Sequence, residues 1–102
     1  MAVMVVMRWA GTTLDQYEET KKIVDWENVP PAGGIVHATA HDGTSLRITD
    51  VWESADDFNA FVNDRLMPGV AQVGIGGQPE VEILELHDLI TTGVPGAEGF
   101  RL

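Results

Sequence analysis

The chain has 102 residues, with 6 Lys+Arg against 16 Asp+Glu, a formal charge of −10 and no cysteine. One domain accounts for that length, and the acidity argues against nucleic-acid and membrane partners. The missing thiols exclude disulfides, thiolate nucleophiles and cysteine-ligated metals.

Residues 1–7 are apolar but stop at Arg8 without a basic leader. They are too short for a signal-peptide core or a bilayer span, so a cytoplasmic location is expected. The Val-rich run predicts a first strand over residues 2–9, buried on both faces. Gly11 breaks it, and Thr12 or Thr13 caps a helix with Asp15 and Gln16 in its first turn. That helix is expected over residues 14–26, with Leu14, Tyr17, Ile23 and Val24 inward and Glu18, Glu19, Lys21 and Lys22 in water. Pro30-Pro31 and Gly33-Gly34 make residues 28–34 a loop.

Two β-rich runs over residues 35–52 flank Asp42-Gly43, a hairpin signal. With that pair at the turn, Thr39 faces Leu46, His37 faces Ile48 and Ile35 faces Asp50. Alternation then puts Ile35, His37, Thr39, His41, Leu46, Ile48, Asp50 and Trp52 on one face. Arg47 projects from the other, with Val36, Ala38, Ala40 and Val51. Ser54 caps a second helix with Asp56 and Asp57 in its first turn. Ala55, Phe58, Phe61, Val62 and Leu66 form its apolar face, and Pro68-Gly69 is expected to end it. A glycine-rich connection leads to a fourth strand over residues 80–88.

The order β-α-β-β-α-β predicts an α+β, ferredoxin-like domain over residues 1–90. It would be a four-stranded antiparallel sheet with two helices on one face. Apolar residues on the other face call for a cover, and a homodimer with its sheets face to face supplies one. Residues 91–102 form a tail expected to pack on the domain or on the partner subunit.

The segment from Asp50 through Trp52, Ser54, Asp57 and Phe58 to Phe61 resembles the strand-to-helix signature of the dimeric α/β-barrel superfamily. That group includes the antibiotic-biosynthesis monooxygenases and the haem-degrading monooxygenases. The opening from Met7 through Gly11 to Tyr17 is similar too. The resemblance implies a pocket between sheet and helices with Trp52 in its wall. The haem-ligating histidine of the haem-degrading members would fall near Ala71, and their strand asparagine near Met7 and Arg8. The resemblance therefore implies the cofactor-independent branch, with neither haem nor metal.

His37 and Asp50 are the expected acid–base pair, as diagonal neighbours roughly 7–8 Å apart at their β-carbons. The same pair also reads as two buried polar groups satisfying each other. Trp52, Tyr17 and Phe61 would contact a substrate, with His87 at the pocket mouth. His37 and His41 lie roughly 13 Å apart along a strand and cannot share a zinc ion. Gly74-Ile75-Gly76-Gly77 is followed by Pro79 and a strand, so it is no phosphate loop. The functional expectation is a protein that binds a small apolar or aromatic ligand. It would be a cofactor-independent monooxygenase, or a cyclase or isomerase, acting on an aromatic or polyketide-like substrate. The alternative is a non-catalytic dimeric binding or stress-related module.

Overall fold

A computed structural model describes residues 1–92; the tail beyond Thr92 lies outside the described residues. Strands β1 (Val3–Ala10), β2 (Gly34–His41), β3 (Ser45–Trp52) and β4 (Glu80–Glu85) form one antiparallel sheet in the order β2-β3-β1-β4. Helix α1 (Leu14–Val24) follows β1. Between β3 and β4 run α2 (Ala55–Phe61), a π-helical turn (Val62–Leu66) and α3 (Met67–Val73). This is the expected ferredoxin-like α+β arrangement, with the helices on one face of the sheet.

The core is built by alternation. Val3, Val5, Met7 and Trp9 of β1 meet Leu46, Ile48 and Trp52 of β3, and Phe58, Phe61 and Val70 close over them. Met4 and Val6 project to the other face and are half-buried. That face also carries Val36, Ala38, Val51 and Leu84 by register. All six residues of β4 are exposed.

Thr13 caps α1 in a full capping box with Gln16, a device worth about 1 kcal/mol. The helix ends two residues earlier than its pattern predicts. Asp25 adopts a left-handed conformation at φ 55° and turns the chain. The inward stripe also differs from expectation. Leu14 and Ile23 are 51% and 40% exposed, whereas Thr20 is buried and returns its hydroxyl to the Gln16 carbonyl at 2.9 Å.

The hairpin turns one residue later than Asp42-Gly43 at its centre would require. Gly43 and Thr44 are the central pair, with the Asp42 N–H on the Ser45 carbonyl at 3.1 Å. Gly43 takes φ +102°, the positive φ that glycine adopts freely at the first central position. One Asp42 oxygen accepts the Thr44 and Ser45 N–H groups at 2.9 and 2.8 Å, which draws Asp42 into the position before the turn. The pairing therefore becomes His41 with Leu46, Thr39 with Ile48 and His37 with Asp50. A bulge between Gly34 and Val36 takes Ile35 out of the ladder.

The second helix does not stop at Pro68-Gly69. Met67 N–H bonds to the Val62 carbonyl, five residues back, and the chain winds on to Gly74, left-handed at φ 85°. Pro68 sits at the start of α3, where a missing N–H costs least. Gly69 is buried against α1. A β-carbon there would lie 3.4 Å from Val24 Cγ2 and 3.5 Å from Ile23 Cγ2.

Strand β4 ends at Glu85, short of the expected residue 88, although Leu86 N–H still reaches the Ala2 carbonyl at 2.9 Å. His41 is bonded through both ring nitrogens. Its Nε2 lies 2.9 Å from the Thr12 carbonyl and its Nδ1 accepts the Gly43 N–H at 3.0 Å, so it ties the turn to the start of α1. Arg47, on the opposite face of the hairpin, bonds Asp42 of its own chain at 3.2 Å.

Candidate active site

The corrected register sets His37 directly across from Asp50, on the face that the helices cover. Asp50 is 2% exposed and Trp52 wholly buried. A carboxylate only accepts and an indole N–H only donates. Trp52 Nε1–H accordingly donates to Asp50 Oδ2 at 3.2 Å, and His37 Nδ1–H to Oδ1 at 2.7 Å. Both carboxylate oxygens are thereby satisfied, and His37 is fixed in the tautomer that leaves Nε2 without a proton.

Nε2 points toward α1. Tyr17 OH lies 2.8 Å from it and accepts the Thr39 hydroxyl at 2.9 Å; Thr39 Oγ1 is itself 3.0 Å from Nε2. One chain of hydrogen bonds thus runs Thr39 to Tyr17 to His37 to Asp50, with Trp52 closing its buried end. Burial pushes the Tyr17 phenol above its ordinary pKa, against the opposing pull of the Thr39 hydrogen bond and the Lys21 charge. A neutral phenol beside Nε2 can pass a proton to it, so the chain can carry a proton from the cleft to a carboxylate-backed imidazole.

Aromatic rings surround this chain. Trp26 lies 5.2 Å from His37 at 30°, and Tyr17 lies 6.1 Å from it at 17°. Trp26 meets Trp52 and Phe61 edge-on at 5.2 and 5.6 Å. Such pairs contribute about 0.5–1.5 kcal/mol each beyond their buried area.

A cleft of about 680 Å³ opens between the helices and the sheet. Tyr17, Thr39, His37 and Asp50 give it a polar end. Met7, Trp9, Leu46, Ile48, Phe61 and Val70 line its apolar depth, and Lys21 and Glu27 stand at its charged rim. Its size suits a drug-sized molecule.

Of the residues singled out in the sequence, the cleft brings together His37, Asp50, Tyr17 and Phe61. Trp52 lies behind Asp50 and is not a cleft-lining residue; it holds the carboxylate. His87 lies past the end of β4 and does not line the cleft either. Trp26 and Thr39 join the site without having been expected there from the sequence. The alternation that places His37 also places Thr39, which is a usable signal. Trp26 has none, because the turn at Asp25 that aims it does not follow from a helical pattern. Among the described residues no group of three or more His, Asp or Glu side chains is arranged to hold a metal ion.

The sequence matches no protein-family model and no curated protein. Solved structures do match. SnoaB, a cofactor-independent oxygenase from Streptomyces nogalater, is 12% identical with a TM-score of 0.62, over 87% of this chain and 95% of that one. A candidate antibiotic biosynthesis monooxygenase from Caulobacter crescentus is 15% identical with a TM-score of 0.63, over 85% and 91%. NE2512 from Nitrosomonas europaea, of unknown function, is 11% identical with a TM-score of 0.69, over 88% and 93%. At such identities the likeness is one of fold. The chain carries the ferredoxin-like fold of the antibiotic-biosynthesis-monooxygenase-type proteins.

Proposed function

We propose that the protein takes a hydroxylated aromatic or polyketide-like molecule into the cleft and removes a proton from it. The observation that carries this reading is the His37 imidazole, backed by buried Asp50 at 2.7 Å and open through Tyr17 to an apolar cavity. Nε2 is the base, and Asp50 orients the ring and stabilises the imidazolium that forms. Tyr17 relays the proton or holds the substrate oxygen. The deprotonated ring is electron-rich. In a cofactor-independent monooxygenase it reduces molecular oxygen, so that a ring methylene becomes a carbonyl and one water leaves. In a cyclase or isomerase the same anion closes or shifts a bond. SnoaB shares the fold and is a cofactor-independent oxygenase, which favours the first course. A second copy covering Met4, Val6, Val36 and Val51 completes the proposed homodimer.

Oxygen uptake with a panel of anthrones and naphthols tests the reading, comparing the wild type with His37→Ala. Uptake that the variant loses supports it, and equal rates remove His37 from the chemistry. A second reading, a binding module without turnover, is favoured by one fact: Nε2 already has partners in Tyr17 and Thr39. Ligand binding without turnover in the same panel would select it.

A further inference from the structure

Trp26 is held over His37 by three separate devices. Asp25 takes a left-handed conformation that residues other than glycine, asparagine and aspartate rarely adopt. Its carboxylate accepts Asn28 Nδ2–H at 2.8 Å, and its carbonyl accepts the Val29 N–H at 2.9 Å. Gly34 leaves room for the indole; a β-carbon there would come within 2.9 Å of Trp26 Cη2 and Cζ2. Arg65, on the π-turn, donates to the carbonyls of Val24 and Val29 on either side of Trp26, while its guanidinium lies 5.6 Å from the centre of the Phe61 ring. π-turns recur at functional sites, and here the turn carries the clamp.

Trp26 is also a partition. Together with Lys21 and Glu27, which are ion-paired at 2.8 Å, it lines both the main cleft and a smaller polar hollow of about 240 Å³ outside it. The indole therefore forms a flat apolar wall beside the His37 imidazole.

Resting on the aromatic-substrate reading above, we propose that Trp26 is the specificity-determining residue of the cleft, selecting planar rings, and that Arg65 is the positioning residue that holds it. A planar ring can pack against the indole in the remaining space, whereas a puckered saturated ring of the same skeleton meets it at only a few atoms. Arg65 acts through Trp26, because its Nη2 donors go to the backbone on either side of that residue.

The test compares the affinities of 2-naphthol and decahydro-2-naphthol by calorimetry. The two share a hydroxyl and a carbon skeleton and differ in planarity. The wild type is expected to prefer 2-naphthol about tenfold or more, and Trp26→Phe to keep most of that preference. Trp26→Leu and Arg65→Met are each expected to reduce it below about threefold. The double variant should lose no more than Trp26→Leu alone, as coupled residues do. Loss of folding stability alone would weaken both ligands equally and leave their ratio unchanged, which would overturn the proposal. If Trp26→Leu does not fold, Arg65→Met decides, since it frees the indole without removing it. Equal wild-type affinities, or a ratio that Trp26→Leu leaves intact, overturn this inference and spare the functional reading. Binding of neither ligand overturns both.

Discussion

Across β2 and β3, His37 Nδ1 and Asp50 Oδ1 lie 2.7 Å apart, and the second oxygen of the same buried carboxylate takes the Trp52 indole N–H. Two donors from two strands converge on one acceptor group. Asp50→Asn keeps the shape but sets an amide NH₂ against one of those N–H groups unless His37 moves its proton to Nε2, which removes the base. An unsatisfied buried donor costs about 1–3 kcal/mol, which urea denaturation will register. Under the proposed function, turnover should fall by about 10²–10⁴-fold, the usual contribution of acid–base catalysis.

Tyr17 is the one tyrosine of the chain, so tyrosinate absorbance reports it alone. Burial raises its pKa above 10.0 in the folded protein. The native titration midpoint should lie above the midpoint measured in denaturant. A raised folded pKa means that the native state holds its proton longer than the unfolded chain. Its contribution to stability is therefore complete below pH 10 and is lost as pH rises through the folded pKa. Tyr17→Phe should remove that alkaline loss. At neutral pH it should also cost about 1 kcal/mol for the missing hydrogen bonds.

Asp42 makes the opposite prediction at the acid end. The N–H groups of Thr44 and Ser45 hold its carboxyl well below the usual carboxylate range. A depressed folded pKa gives stability that is present above pH 3.8 and is lost as pH falls through the folded value. Melting curves of Asp42→Asn should therefore lie below the wild type at neutral pH. The gap should narrow as the solution is acidified past pH 3.8, and a gap independent of pH would contradict an ionic origin for the stabilisation.

Two glycines should answer differently to the same substitution. At Gly69 a new methyl finds its nearest neighbour at 3.4 Å, so Gly69→Ala should fit and gain up to about 1 kcal/mol of helix propensity. At Gly34 the methyl meets the Trp26 ring at 2.9 Å. Gly34→Ala should cost about 1–3 kcal/mol, as overpacking does, and should change the indole emission. Thermal melts and fluorescence of the two variants decide.

The element order was legible because each element announces itself locally: a Val-rich run, a Thr-capped amphipathic stretch, an Asp-Gly turn. The face shared by His37, Thr39 and Asp50 was legible too, because strand alternation survives a shift of the turn by one residue. The distance between His37 and Asp50 was not. It depends on whether Asp42 lies in the turn or before it, and Asp42's bonds to Thr44 and Ser45 settle that. Pro68-Gly69 misled because a proline just past a π-turn leaves the helix intact. Phe61 and Val70 lie nine residues apart, which is about two and a half turns of regular helix. No single helical stripe would bury both; the wider turn between them helps bring Val70 inward.

The exposed strand β4 gives the acidity a use. Among the described residues no strand lies beyond it, and an open edge of that kind is a template on which further chains pair. Glu80, Glu82 and Glu85 stand along it, with Arg8 no nearer to Glu80 than 3.8 Å. Two copies meeting edge to edge would press these carboxylates against their own duplicates, each molecule already carrying a charge of −10. The surplus of negative charge thus works against edge-to-edge pairing at this border of the sheet.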